Sequence, residues 1–115
     1  MVIDSTELSD EVFLTQFESH ILPKECFNHI GHLRLAYLYL QKLELPQAID
    51  KTSQGIIDYA ESLGVKDKFH ATITYAIVSL MFVRQSETPT PNWQAFIELN
   101  EDMATQCMPL LETYF

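Results

Sequence analysis

Phe27-Asn28-His29-Ile30-Gly31-His32-Leu33-Arg34-Leu35-Ala36-Tyr37-Leu38-Tyr39-Leu40 is the stretch that decides the fold. It contains no proline, and its apolar residues recur every three or four positions. Extended on both sides, the pattern predicts one helix over residues 23–44. Cys26, Ile30, Leu33, Tyr37 and Leu40 form its buried face. Pro23 suits a first helical turn, and Leu45-Pro46 breaks the run.

The rest of the chain follows the same period. A first helix is expected from Ser9, a good N-cap, with Asp10 and Glu11 at the positive end of the dipole. Its apolar stripe is Val12, Phe13 and Phe17. A third helix over 46–63 carries Ala48, Ile49, Ile56, Ala60 and Leu63, with Gly64 placed as a left-handed C-terminal cap. Gly55, inside that helix, costs about 1 kcal/mol relative to alanine. It is either a tolerated cost or the mark of a close helix crossing. A fourth helix over 68–85 is apolar almost all round and is expected to be the central one. Two Thr-Pro pairs make 87–91 a loop. A fifth helix over 91–100 carries Trp93, Phe96, Ile97 and Leu99. A short last helix holds Met103, Cys107, Leu110 and Leu111. The expectation is an all-α fold: a compact bundle of five to six helices forming a single domain over 1–115.

Composition supports that class and excludes others. The chain has 115 residues, 47% of them hydrophobic, and only three glycines and five prolines. A domain of this size buries roughly two thirds of its unfolded surface and needs no staples. The net charge is −9, from sixteen acids against seven bases. Nucleic-acid binding requires clustered Lys and Arg, and no cluster exists. An acidic chain is equally unsuited to an anionic membrane surface. Two cysteines, Cys26 and Cys107, make no disulfide framework. The apolar stretch 71–83 is too short for a bilayer, which needs about 20 residues. The start lacks a signal-peptide pattern. These features point to a cytoplasmic protein, with a homodimer as one expected form.

The chemistry-bearing residues are histidines. With Leu33 set at zero on a helical wheel, His29 lies about 40° to one side, and Glu25 and His32 about 80° and 100° round on the same side. Glu25, His29 and His32 therefore form a polar strip along one flank of the buried face. On the fourth helix, His70 shares a face with Ile73, Thr74, Ile77 and Met81. It sits in the first turn, where the helix dipole disfavours imidazolium. A neutral imidazole can accept a hydrogen bond, act as a base or bind a metal. If the two helices pack together, His70 faces His29 and His32.

Three readings of that cluster stay open. It is a satisfied internal hydrogen-bond network, a small-ligand pocket lined by Glu25, His29, His32, His70 and Thr74, or a divalent transition-metal site on His29, His32 and His70. In the pocket, His70 would act as base and Glu25 would orient a neighbouring imidazole. The zincin pattern of two histidines four apart with an intervening glutamate is absent. So are Gly-x-Ser-x-Gly, a phosphate-binding glycine loop and an EF-hand loop. His20 falls in a linker and is expected to be solvated. Cys26 is expected in the core, as are Tyr37, Tyr39, Trp93 and Phe96.

Residues 27–36 carry the pattern F-x-H-x-x-H-L-R-L-A, and 69–74 carry [FY]-H-x-T-I-T. Together they resemble the two signatures of an uncharacterised bacterial family of small helical proteins. The resemblance spans roughly residues 23–115. It implies a cytoplasmic helical domain with a role for His29, His32 and His70, and no established activity. Members of that family carry an acid after the second-motif histidine, where this chain has Ala71. That departure weighs against a catalytic role.

Overall fold

A computed structural model describes residues 8–22, 29–64 and 71–105, leaving aside the side chains at 29, 71–73 and 104. The described residues form six helices and no strand: α1 (Asp10–Glu18), α2 (His29–Lys42), α3 (Leu45–Ser62), α4 (Ala71–Glu87), α5 (Trp93–Leu99) and α6 (Glu101–Thr105). The chain is an all-α bundle. No described helix is long and apolar enough to cross a membrane.

Local signals account for the boundaries. Ser9 Oγ accepts a hydrogen bond from the Val12 N–H at 3.2 Å and starts α1. At the head of α3, the Glu44 N–H donates to Gln47 Oε1 at 3.2 Å, and Pro46 occupies the first turn. Asn92 Oδ1 caps α5 by accepting from the Ala95 N–H at 2.8 Å. Each satisfies a helix-end donor that would otherwise have no intrahelical partner. Gly64 has φ +70°, the left-handed conformation that suits a C-terminal glycine cap. The loop between α4 and α5, residues 88–92, is closed by Gln85. Its side chain accepts from the Thr90 N–H and hydroxyl at 3.2 and 2.7 Å and donates to the Thr90 carbonyl at 3.1 Å.

The hub of the bundle is α2, which packs against each of the other five helices. The sequence pattern points instead to the fourth helix. The difference follows from burial. In α2, Leu33, Arg34, Leu35, Ala36, Tyr37, Leu38 and Tyr39 are all buried, a run that occupies every side of the helix. In α4, Ala76, Val78, Leu80 and Met81 are buried against α2 and α3, but Tyr75, Phe82 and Val83 face outward. Hydrophobicity all round an element measures its capacity for burial, and the number of neighbours decides its use.

Two stripes also shift. In α1 the buried residues are Phe13, Leu14 and Phe17, while Val12 is exposed. Phe13, Phe17 and Leu14 lie within about 100° of one another on the helix, and Val12 lies outside that arc. In α3 the buried residues are Ala48, Thr52 and Tyr59, and Leu63 is exposed at the C-cap. The core unites Phe13 and Phe17 of α1, Leu33 and Leu35 of α2, Met81 of α4, Phe96 of α5 and Met103 of α6.

Candidate functional site

Two of the histidine candidates, His29 and His32, lie on α2 within the described residues. α2 starts at His29 and α4 at Ala71, the residue after His70, and the two helices are in contact. His32 is half-buried, the exception in a run, 31–39, whose other members are buried. The imidazole therefore sits at a break in the cover of the hub helix. Thr74 is half-buried one turn into α4. It shares a face with Ile77, half-buried, and Met81, fully buried, so this face of α4 points inward as its register predicts.

The other members of the expected set are placed less fully. Glu25 and His70 lie outside the described residues, as do Cys26 and Cys107. His29 is described as backbone at the head of α2. Among the described residues, no group of three or more His, Cys, Asp and Glu could hold a metal ion. The trio His29, His32 and His70 extends beyond them. His20 is exposed, in keeping with a linker histidine, and takes a left-handed backbone with φ 62°. Tyr37, Tyr39, Trp93 and Phe96 are all buried core residues.

Three polar centres that the sequence pattern left without a role are built into the bundle. Arg34, the arginine of F-x-H-x-x-H-L-R-L-A, is only 3% exposed. One guanidinium nitrogen donates to the Leu8 carbonyl at 2.7 Å and to Asp10 Oδ1 at 2.8 Å. The guanidinium carbon lies 4.8 Å from the centre of the Phe13 ring. Arg34 thus fastens the start of α1 to α2 by a charge-assisted pair and a cation–π contact. An arginine inside an otherwise apolar run was the signal available for it.

The second centre joins α1, α2 and α3. The Tyr39 hydroxyl donates to Glu18 Oε2 at 2.8 Å, Lys51 Nζ lies 3.8 Å from the same oxygen, and Lys51 sits 5.5 Å from the Tyr39 ring centre. Burial, then the hydrogen bond to Glu18 and its negative charge, hold the phenol well above its ordinary value of 10.0. Tyr39 is therefore a neutral donor and not a base. In the third centre, Arg84 makes a two-pronged contact to Asp102 at 2.6 and 2.8 Å and reaches Asn100 Oδ1 at 3.2 Å. The Arg84 hydrogen bond chiefly lowers the Asp102 carboxyl below 3.8. These residues direct their polar atoms at joining helices.

Comparison with protein-family models, with curated proteins and with solved structures found no match in any of the three.

Proposed function

We propose that the protein binds a small ligand at the end of the bundle where α2 and α4 begin. His29, His32, His70, Glu25 and Thr74 would supply the polar contacts. The observation that carries this reading is the packing of α2 on α4, with His32 at a break in the buried surface and Thr74 on the inward face. The connectivity adds support. Two residues, Leu43 and Glu44, join α2 to α3, and α3 packs on α4. Short links between packed helices favour an antiparallel course. A course of α3 antiparallel to both neighbours would set α2 and α4 running the same way. His70 precedes Thr74 by four residues in sequence, the spacing of one helical face.

On the sequence pattern His70 lies in the first turn of the fourth helix, whose positive end disfavours imidazolium, and a neutral imidazole can accept a proton or bind a metal. A ligand with an acidic C–H, O–H or N–H group would meet His70 as base, with Glu25 orienting a neighbouring ring. A divalent transition metal on His29, His32 and His70 is the alternative occupant. Native mass spectrometry and elemental analysis of untagged protein test both readings. A retained small-molecule mass, lost in His32→Ala with the helical content unchanged, supports the ligand pocket. A metal stoichiometry near one per chain supports the metal reading. Apo protein that gains no thermal stability from Zn²⁺, Fe²⁺, Mn²⁺ or a panel of small organic acids defeats both.

A non-catalytic homodimeric module is the second reading. The outward aromatics of α4 favour it.

A further inference from the structure

Tyr75, Ser79, Phe82 and Ser86 follow one another along α4 at steps of four, three and four residues. That spacing is the seam by which one helix packs along another. Tyr75 is 57% exposed and Phe82 42%, with Val83 beside them at 45%. Ser86 is exposed and Ser79 half-buried. The Ser79 hydroxyl oxygen is covered and has no hydrogen-bond partner among the described residues. Two rings therefore stand out from the helix, with a small residue between them and a second beyond.

We infer that two copies of this chain associate through this seam, with the two α4 helices antiparallel about a two-fold axis between Leu80 and Met81. In that register Tyr75 faces Ser86 of the second copy, and Ser79 faces Phe82 of the second copy. Symmetry repeats both pairings. Each aromatic ring meets a serine, so large fills small in every layer, as a self-complementary two-fold contact requires. Any shift by one turn would set ring against ring or serine against serine.

Charge selects the same face. The chain carries −9 overall, yet Tyr75, Ser79, Phe82 and Ser86 are uncharged, and Arg84, the one charged residue between 75 and 86, is paired with Asp102. Copies meeting on an acidic surface would repel. Copies meeting here bring no acid of the seam helix between 75 and 86 into contact. One helix face per partner falls below the ~800 Å² of a standard stable interface. The association is therefore weak, with a dissociation constant of about 1–100 μM as the expected range. The inference rests on the dimer reading and does not involve the histidine site.

Sedimentation equilibrium of the full chain tests it, with circular dichroism as the check on folding. The expected result is a concentration-dependent dimer. Phe82→Glu, a substitution at an exposed position, should weaken it roughly thirtyfold or more, the effect of losing a central aromatic anchor. The register is tested separately in a Cys26→Ser, Cys107→Ser background. The pair Tyr75→Cys and Ser86→Cys should form a disulfide-linked dimer on oxidation, and Tyr75→Cys alone should not. A chain that stays monomeric at several hundred micromolar (far above the expected ~1–100 μM range) overturns the inference together with the dimer reading. A dimer that survives Phe82→Glu overturns this surface and leaves the dimer reading standing. A dimer lost in Phe82→Glu but equally cross-linked by Tyr75→Cys alone overturns the antiparallel register.

Discussion

A Cβ built on Gly55 of α3 would stand 2.8 Å from Cε2 of Phe17 in α1. Glycine is what allows the two helices to cross this closely. The Phe17 ring is fully buried and stacked on Tyr59, 5.4 Å between centres, so it has little room to retreat. Of the two explanations open for a glycine within a helix, close crossing is the one the geometry supports.

Gly55→Ala should therefore reverse the usual sign. Alanine in a helix interior normally gains about 1 kcal/mol over glycine. Here overpacking against Phe17 should dominate and destabilise the fold by about 1–3 kcal/mol. Chemical denaturation measures the loss. Adding Phe17→Leu removes the ring end that clashes, so the double variant should be more stable than the sum of the two single effects.

The Arg34–Asp10 pair is unequal. The Arg34 side chain is 4% exposed and that of Asp10 is 54% exposed. Asp10→Ala takes a carboxylate away from a buried guanidinium and should cost about 2 kcal/mol. Arg34→Met keeps the apolar stem and leaves only a solvated carboxylate, so its cost should stay nearer 1 kcal/mol. Equilibrium urea unfolding of both variants decides the order. A larger loss in Arg34→Met would show that the pair acts through the arginine's other contacts.

Tyr39 makes stability sensitive to alkali. Its folded-state value is raised above 10.0 by burial, the Glu18 hydrogen bond and the Glu18 charge. Between the unfolded and folded values the native chain holds the extra proton. Its contribution is thus fully present below pH ~10 and declines as pH rises through the folded-state value. Glu18→Gln removes the charge, so the phenol should ionise at lower pH. The difference in phenolate absorbance between each chain and its Tyr39→Phe partner isolates the residue.

Asp102 acts in the opposite direction. The Arg84 hydrogen bonds lower its carboxyl from 3.8, so its contribution is present above pH ~3.8 and is lost as pH falls through the depressed value. Asp102 is 43% exposed, and solvent screening limits the pair to about 1 kcal/mol. Asp102→Asn should lower stability by that amount at pH ~7 and leave it nearly unchanged once wild-type Asp102 is protonated. Thermal melts across acid pH give the comparison.

Helix identity was legible because its signals are local. Ser9, Pro46, Gly64 and the Thr-Pro pairs act on their own backbone, and each stands where the sequence pattern puts a boundary. The inward face of α4 through Thr74, Ile77 and Met81 was legible for the same reason, since the spacing of residues on one helix needs no partner. The roles of Arg34, Glu18 and Gly55 were not. Asp10 and Arg34 are twenty-four residues apart in sequence, and Tyr39 and Glu18 twenty-one, so no local period relates them.

The amino-acid sequence by itself determined that this chain is helical, that Ser9 opens α1, that Pro46 opens α3 and Gly64 follows its end, and which side of α4 is buried. Those properties follow from backbone geometry and from each residue's neighbours within a turn or two. Only the tertiary structure decided that α2 is the hub, that Gly55 admits Phe17, and that α4 keeps a ring-and-serine seam outside. These depend on which helices meet, and that is set by competition among apolar faces for a limited interior. Tyr75 and Phe82 have the hydrophobicity of core residues, but Ala76, Val78, Leu80 and Met81 occupy the interior on their helix.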